Sequence, residues 1–392
     1  MMETVIVSAA RTPIGSFQGA LSSLTATKLG SLAIAEALQR AGLKPAEVQE
    51  VIMGCVLPAG LGQAPARQAS LGAGLPKETG CLTINKVCGS GLKSVMLADA
   101  MIRNGDAEVV IAGGMESMSN VPYLLPKGRS GYRLGNGQVI DSLVNDGLWD
   151  VYNNFHMGSA AELCAREYKI SREAQDEFAI ESYRRAQKAI ADGKFKSEII
   201  AVEVAEGKTT KKIDLDEEPG KANFEKLKSL KPAFEKEGTV TAGNASKIND
   251  GAAAVLLMSS DLAKKKGLRP LAKIVGHAGA SVAPEWFTVA PSEAIQKVLN
   301  RLQMKTSEID LWEINEAFSV VALVNNKKLG LSADRVNIHG GAVALGHPIG
   351  ASGARILTTL LYSLQETGAK RGCASLCIGG GEGVALVVER MS

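Results

Sequence analysis

Short apolar runs alternate with amphipathic segments along most of the chain. ETVIVSAA at 3–10 predicts a buried strand, and LGSLAIAEALQRAG at 29–42 has the apolar spacing of a helix that ends at a glycine. EVIMGCV at 50–56, SGLKSVMLADAMIRNG at 90–105 and EVVIAGG at 108–114 continue the pattern as strand, helix and strand. This alternation indicates an α/β fold built from βαβ units, with a mostly parallel sheet.

The last third of the chain repeats the same order of elements. SEIDLWEINEAF matches AEVQEVIMG, GASGARILTTLLYSLQETG matches GSGLKSVMLADAMIRNG, and ASLCIGGGEGVALVVE matches AEVVIAGGMES. Ser307 follows Ala46 by 261 residues, and Gly353 follows Gly91 by 262. A nearly constant offset favours two copies of one βα unit, with chance alignment of apolar patterns as the alternative.

The character of the sequence changes between the two copies. PKGRSGYRLGNGQ predicts an exposed loop, and two helical segments follow, the second opening at Ser171. We interpret 119–244 as an inserted loop domain that lies over the core. One half of the core is then formed by 1–118 plus 245–268, and the other by 269–392.

Composition narrows the class of protein. The chain of 392 residues is 45% hydrophobic with a net charge of +3, so it has no electrostatic signature of a nucleic-acid partner. We expect no membrane span and no secretory signal. Six cysteines without a CxxC pair and only four histidines predict no metal site. Reduced thiols in a cytoplasmic compartment are the favoured interpretation.

Two residues with catalytic potential occupy matching turns of the two copies. Cys88 in NKVCGSG precedes a helix, where backbone N–H groups and the helix dipole favour a thiolate. A buried structural cysteine is the alternative and, taken alone, the commoner one. His347 in GGAVALGHPIGASGAR lies at the corresponding turn. If a pseudo-two-fold relates the copies, both helix starts can face one cleft; a solvated turn histidine is the alternative.

Three further residues stand at places where ligands bind. Cys377 in CIGGGEG ends a buried strand, and the glycines expose backbone N–H groups that could serve an oxyanion. A nucleotide phosphate loop is disfavoured because the strand-like VALVVE, rather than a helix, follows. Asn315 in INEAF and His156 in HMGSAAE could donate to an oxyanion or could cap a helix.

Taken together, these segments resemble the thiolase family over essentially the whole chain. NKVCGSGLKSV, HMGSAAE, GNASKIND, NEAF, GGAVALGHPIGASGAR and CIGGGEG occur in order. The resemblance implies a five-layer α-β-α-β-α core made of duplicated βαβ halves, with the loop domain inserted. It also implies a homodimer or homotetramer, for which the loop from Ser119 to Gly137 is a candidate contact.

The resemblance further implies a reaction. Two molecules of acetyl-CoA would condense reversibly to acetoacetyl-CoA and CoA through an acetylated Cys88, with coenzyme A thioesters as substrates and no tightly bound cofactor. A degradative 3-ketoacyl-CoA thiolase of broader chain length is the alternative. His347 would accept the proton of Cys88, and Cys377 would act as acid and base at the α-carbon of the second acetyl-CoA.

Two oxyanion holes are implied in the same way. The side chain of His156 and a water held by Asn315 would form one of them. The backbone N–H groups of Cys88 and Gly379 would form the other.

Coenzyme A contacts carry over from the same resemblance. Ser246 would bond the pantetheine and Phe234 would line the adenine side, with Ala242 and Leu148 as weaker candidates. Lys221 stands in the segment where the family often has an arginine for the phosphates, although a flexible point charge is not an arginine fork.

Two residues bear on acyl chain length. Met157 matches the short-chain type of the family, in which a methionine limits the acyl pocket. Phe287 stands where a second methionine is usual. Because phenylalanine is at least as bulky as methionine, we expect a small acyl pocket.

Overall fold

A computed structural model describes residues 2–391 of the chain. The first part forms the N-terminal half of the core. Its elements are β1 (Thr4–Arg11), β2 (Gly15–Ser16), α1 (Ala26–Ala41), β3 (Glu50–Gly54), α2 (Pro65–Gly72), β4 (Gly80–Ile84), α3 (Ser90–Asn104) and β5 (Val109–Ser117). Helices α1 and α3 end where predicted, at Gly42 and Gly105, whose φ angles of 67° and 85° are left-handed.

Short ribbons and helices make up the middle of the chain. They are β6 (Tyr123–Leu124), β7 (Ile140–Asp141), α4 (Ser142–Gly147), β8 (Trp149–Asp150), β9 (Phe155–His156), α5 (Met157–Glu167), α6 (Arg172–Ala191), β10 (Val202–Glu206), β11 (Thr209–Ile213) and α7 (Phe224–Lys228). The predicted helix start at Ser171 is confirmed, because its hydroxyl accepts a hydrogen bond from the backbone N–H of Ala174.

The remaining residues complete the first half and form the second. Their elements are β12 (Asn249–Ser259), α8 (Ser260–Lys265), β13 (Ala272–Ser281), α9 (Ala290–Leu302), β14 (Leu311–Ile314), α10 (Ser319–Leu329), α11 (Ala342–Leu345), α12 (Ser352–Thr367), β15 (Arg371–Ile378) and β16 (Glu382–Arg390).

The strand order confirms the duplication. The first half runs β4-β3-β5-β12-β1, and the second runs β14-β15-β16-β13. β14 has the place of its sequence match β3, and β15 has that of β5. β16 and β13 take the places of β12 and β1. The halves join at their edges, where Val5 pairs with Lys273 and Ile6 with Ala272.

The prediction of a mostly parallel sheet is wrong. Parallel pairing is found for β3 with β4 and β5, and for β14 with β15. The other pairs of the large sheet are antiparallel. A short glycine turn sends β16 back beside β15, and β12 returns from the inserted segment rather than through a crossover helix.

Helices cover both faces of each half, which confirms the five-layer core. Helices α3 and α12 lie in the middle, where Leu92 and Val95 share one buried cluster with Leu357 and Leu360. Helix α1 packs on the outer face of the first half, and α9 packs on the outer face of the second.

The two central helices cross at matching glycines. A Cβ on Gly91 would lie 2.8 Å from the backbone nitrogen of Ala354, and a Cβ on Gly353 would lie 2.1 Å from that of Leu92. Since the neighbouring atoms are backbone, they cannot move aside as a flexible side chain could. The contact therefore requires glycine on both sides, and it brings the two helix starts together.

We expect Gly353→Ala to destabilise the fold by about 1–3 kcal/mol or more, because the added methyl group overpacks a backbone contact. Urea unfolding measures this change in the free energy of unfolding. Gly220→Ala is the matched control, since no heavy atom lies within 4 Å of a Cβ at that exposed position. Equal stability of the two variants would contradict the close-contact argument.

Candidate active site

Cys88 is presented by a strained turn between β4 and α3. Val87 has a φ of 44°, a left-handed conformation that a β-branched residue rarely adopts. The Ser90 hydroxyl accepts from the backbone N–H of Lys86 and donates to the carbonyl of Val87, which holds the turn. Gly89 lies close to Ile378, and a Cβ there would lie 2.3 Å from Cδ1 of Ile378, so the isoleucine side chain would have to shift.

The Cys88 thiol borders a small inner cavity that continues into a wide tunnel. The inner cavity has a volume of about 50 Å³ and the tunnel about 530 Å³. Both are lined by Leu148, Ser246, Phe318 and His347, so the two spaces adjoin. A wide space that leads to a small one beside a thiol can accept a long ligand with a short reacting end.

Burial keeps the Cys88 thiol protonated in the unliganded protein. It raises the pKa of Cys88 to about 11, while the backbone N–H groups of Gly379 and of Cys88 itself oppose the shift by hydrogen bonding to the sulfur. These are the two N–H groups expected to form an oxyanion hole. A proton acceptor is needed before this sulfur can act as a nucleophile.

Nε2 of His347 is the candidate acceptor for that proton, and Nδ2 of Asn315 lies 3.5 Å from it. Nδ1 of His347 lies 2.6 Å from Oγ of Ser352, and that hydroxyl already donates its proton to the carbonyl of Pro348. With the Ser352 proton on that carbonyl, we assign the ring hydrogen to Nδ1, which leaves Nε2 as an acceptor. Burial, with a smaller effect from the charge of Arg355, lowers the pKa of His347 to about 3, so the ring is neutral.

His156 is held in the opposite tautomer. It caps α5, and its Nδ1 accepts a hydrogen bond of 3.0 Å from the backbone N–H of Gly158. Nε2 must then carry the hydrogen and can donate it toward the tunnel, which His156 lines. Burial lowers the pKa of His156, which keeps the ring neutral. The helix-cap alternative for His156 is thus correct, and it is what orients the ring as a donor.

Asn315 does not cap a helix, contrary to that alternative. The next helix, α10, begins at Ser319, and Asn315 directs Nδ2 toward Nε2 of His347 at 3.5 Å. Its Oδ1 is buried without a protein hydrogen-bond partner among residues 2–391. This oxygen is therefore free to accept a hydrogen bond from a water, as the expected oxyanion hole requires.

Cys377 lies behind the inner cavity at the end of β15. It is fully buried and belongs to the apolar cluster of Met157, Phe287 and Phe318. Burial, followed by the neighbouring Cys88, raises its pKa well above the usual value. Cys88 is thus near enough for its charge to act on the Cys377 thiol. The segment VALVVE, predicted as a strand after GGGEG, lies in β16, which confirms that prediction.

The inner cavity is closed by large side chains. Met157 and Phe287 both line it and are buried. Phe318, which sequence reasoning missed, lies edge-on to Phe287 with ring centroids 6.4 Å apart. Three segments distant in sequence thus close the inner cavity, and only Met157 and Phe287 carried a local signal.

The five residues expected to bind coenzyme A all line the tunnel. They are Leu148, Lys221, Phe234, Ala242 and Ser246. Leu148 and Ser246 are at the inner end of the tunnel, and Ala242 lies where the tunnel meets a side groove. Phe234 stacks on His156 with centroids 4.7 Å apart, so it lies beside the expected oxyanion donor. Nζ of Lys221 donates to Ser16 and pairs with Glu217. Their individual roles stay predictions.

Glu116 is a buried acid that sequence reasoning did not single out. Its carboxylate accepts hydrogen bonds from the backbone N–H groups of Val56, Leu57 and Gly350. Burial raises its pKa to about 7 despite these three donors. Glu116 ties the turn after β3 to the turn before α12, which supports the loop carrying His347. An acidic residue within an otherwise apolar strand was the available signal.

Among residues 2–391, no group of three or more histidine, cysteine and acidic side chains is arranged to hold a metal ion. Over the same residues, no helix is long and apolar enough to cross a membrane. The fold and the site thus define a duplicated α/β protein with a thiol-centred pocket at the junction of its halves.

Comparison with known proteins identifies the family. A model of the thiolase N-terminal domain matches residues 4–261, and one of the thiolase C-terminal domain matches residues 268–390. The chain belongs to the thiolase family, which confirms the resemblance seen in the sequence.

Individual relatives are similar over their full length. The chain is 54% identical to an acetyl-CoA acetyltransferase of Schizosaccharomyces pombe over 391 residues, covering 99% of each protein. It is 53% identical to an acetyl-CoA acetyltransferase of Cupriavidus necator, covering 100% of each. The crystal structure of the Bacillus anthracis acetyl-CoA acetyltransferase superimposes with a TM-score of 0.97 at 43% identity, covering 100% of this chain and 99% of that one.

The opposite tautomers of the two site histidines can be measured directly. The chain has four histidines, so ¹⁵N-histidine labelling with long-range ¹H–¹⁵N correlation gives few signals. We expect His347 to be protonated at Nδ1 and His156 at Nε2. His347 should stay neutral as the pH falls to about 5, because burial lowers its pKa to about 3, and His156 should titrate below the ordinary range of a histidine.

Signals are assigned with His277→Gln and His339→Gln, which remove the two histidines outside the site. An imidazolium form of His347 at about pH 6, or the reverse pair of tautomers, would contradict the hydrogen-bond assignment.

Proposed function

We propose that this protein is an acetyl-CoA acetyltransferase that condenses two molecules of acetyl-CoA reversibly to acetoacetyl-CoA and CoA. The observation that carries the proposal is the Cys88 thiol on an inner cavity that His347 also lines, with His156 on the wall of the adjoining tunnel. One histidine is an acceptor for the proton of Cys88, and the other is a donor for an oxyanion. Full-length relatives that carry this name support the proposal.

The first half-reaction acetylates Cys88. Nε2 of His347 takes the thiol proton while the sulfur attacks the thioester carbonyl, and the N–H groups of Cys88 and Gly379 receive the oxyanion. CoA leaves as a thiolate and takes a proton from Cys377. Because thiol and imidazole are both neutral beforehand, the charged pair forms only when substrate has displaced water from the cavity.

The second half-reaction forms the carbon–carbon bond. The Cys377 thiolate removes a proton from the methyl group of the next acetyl-CoA, and the enolate oxygen is stabilised by Nε2–H of His156 and a water on Asn315. The carbanion attacks the acetyl group on Cys88. The released Cys88 thiolate recovers its proton from His347, so every group returns to its starting state and no resident cofactor is consumed.

A short acyl group fits the inner cavity best. Its volume of about 50 Å³ leaves room for only a few water-sized groups. Met157, Phe287 and Phe318 close it with apolar side chains that have little freedom to move in a packed cluster. The size of this cavity favours acetyl and acetoacetyl thioesters over the broader-chain 3-ketoacyl-CoA thiolase, and so do the names of the relatives.

We also propose that the protein acts in the cytoplasm as a homodimer or homotetramer. Exposed large apolar side chains concentrate between residues 123 and 152, among them Leu125, Leu134, Val139 and Val151. Such a concentration favours an interface between subunits and includes part of the loop from Ser119 to Gly137.

The two thiols should separate the half-reactions. Cys88→Ser should abolish acetyl transfer to the enzyme, because a hydroxyl beside so weak a base is a poor nucleophile. Cys377→Ala should still form the acetyl-enzyme, with CoA protonated from solvent, yet fail to condense. Mass spectrometry of enzyme quenched after mixing with acetyl-CoA detects the adduct.

Cys373→Ala is the control for these variants, since it removes a buried cysteine that packs in another apolar cluster. Acetylation found on Cys377, with Cys88 unmodified, would reverse the assignment.

Chain length distinguishes the two thiolase types. Thiolysis of acetoacetyl-CoA should exceed thiolysis of 3-ketooctanoyl-CoA by about tenfold or more, because four added methylenes cannot enter the closed cavity. Phe287→Ala should narrow this difference by opening the end of the cavity. Comparable rates for both substrates on the unmodified enzyme would instead support the broader-chain type.

A further inference from the structure

Lys247 is a partly buried lysine at the tunnel to which the proposed reaction assigns no role. It directly follows Ser246, and its side chain borders both the tunnel and a side groove of about 180 Å³. The two spaces also share Glu218, Lys221 and Ala242. Lys247 therefore stands at the junction of the tunnel wall with the inserted segment.

The ammonium group of Lys247 has two partners, and neither is a carboxylate. Nζ donates a hydrogen bond of 2.8 Å to the carbonyl oxygen of Ala245, and it lies 5.8 Å from the ring centroid of Tyr183 in α6. The second distance is within the range of a cation–π interaction. One charged group thus links the loop that precedes β12 to a helix of the inserted segment.

The loop that Lys247 holds is the one that carries Ser246. The backbone N–H of Ala245 donates to the carbonyl of Thr241, and that of Ser246 donates to the carbonyl of Ala317. The carbonyl of Ala245 and the N–H of Ser246 belong to one peptide unit, which is held at the N–H by the carbonyl of Ala317 and at the carbonyl by Nζ of Lys247. Losing the ammonium would remove one of these two hydrogen bonds and loosen the peptide unit that carries Ser246.

We propose that Lys247 is a positioning residue for coenzyme A, whose ammonium acts as an internal cation that holds the Ala245–Ser246 segment against α6 with Ser246 facing the tunnel. The inference rests on the proposed function, in which Ser246 binds the pantetheine. It assigns to Lys247 no contact with the reacting atoms.

The environment of Lys247 adds a pH dependence to this role. Burial lowers the pKa of Lys247 to about 8, and the charge of Glu218 opposes the shift from a longer distance. Tyr183, Lys221 and Lys226 also line the side groove, and burial raises the pKa of Tyr183. With a folded-state pKa of about 8, Lys247 is still charged at neutral pH. Because this pKa is lowered, the charge is lost as the pH rises past about 8.

Equilibrium binding of S-methyl-CoA tests the proposal without turnover. This thioether neither acylates Cys88 nor has an ionisable thiol. Calorimetry at about pH 7 should show that Lys247→Met weakens binding about tenfold, the usual effect of losing one hydrogen bond to a charged group. Lys226→Met is the matched control, because Lys226 lines the same groove and has no hydrogen bond to Ala245. It should bind within about twofold of wild type.

Two further measurements distinguish positioning from general structural damage. Wild-type binding should weaken between about pH 7 and pH 9, whereas Lys247→Met should bind equally at both. Methylammonium should restore binding to Lys247→Ala by occupying the place of the ammonium. A variant that is merely damaged would show neither the flat pH profile nor the rescue, and that result would overturn the proposal.

Three other outcomes would overturn the positioning role of Lys247. Unchanged binding by Lys247→Met overturns the positioning role and leaves the proposed function intact. If binding of S-methyl-CoA depends less on salt in Lys247→Met than in wild type, Lys247 contacts the coenzyme A phosphates directly. That result would also overturn the positioning role. If wild-type protein does not bind S-methyl-CoA, the proposed function fails, and this inference fails with it.

Discussion

The site depends on one backbone-to-backbone contact, where the first turns of α3 and α12 cross between the two halves of the large sheet. Gly91 and Gly353 meet there, and a Cβ on Gly114 in β5 would lie 2.0 Å from the carbonyl oxygen of Gly350. No side chain fits between these segments, so the two turns that precede the helices are held at a fixed separation. Cys88 stands on one turn and His347 on the other. The close packing of these glycines in the core thus also brings Cys88 and His347 to the same site.

Burial then sets the resting state of the reactive groups. It raises the pKa of the Cys88 thiol and lowers the pKa of both site histidines, so the unliganded pocket holds neutral groups. The hydrogen bond from Gly158 places the ring hydrogen of neutral His156 on Nε2, and the contact with Ser352 favours Nδ1 as the protonated nitrogen of His347. The site is therefore prepared for proton transfer between neutral partners, with donors already aimed at the oxyanions.

Much of the fold could be predicted because the two halves of the chain repeat the same pattern of elements. The offset that relates Gly91 to Gly353 predicted the duplication, and glycine C-caps placed the ends of α1 and α3. Strand direction was predicted wrongly. A βαβ pattern gives parallel neighbours only where a helix forms the connection, and neither β12 nor β16 is reached in that way. Asn315 was open to interpretation as a cap because the start of α10 is not marked by a capping side chain.

The sequence by itself determined the elements, their duplication, the family and the reactive residue types, because periodicity, turn chemistry and long motifs are local properties. Only the tertiary structure decided the tautomers of the histidines, the size of the acyl cavity and the place of Lys247. Each of these depends on which atoms from distant segments come within a few ångströms. Met157, Phe287 and Phe318 close one cavity from three parts of the chain, and no local pattern records that they meet.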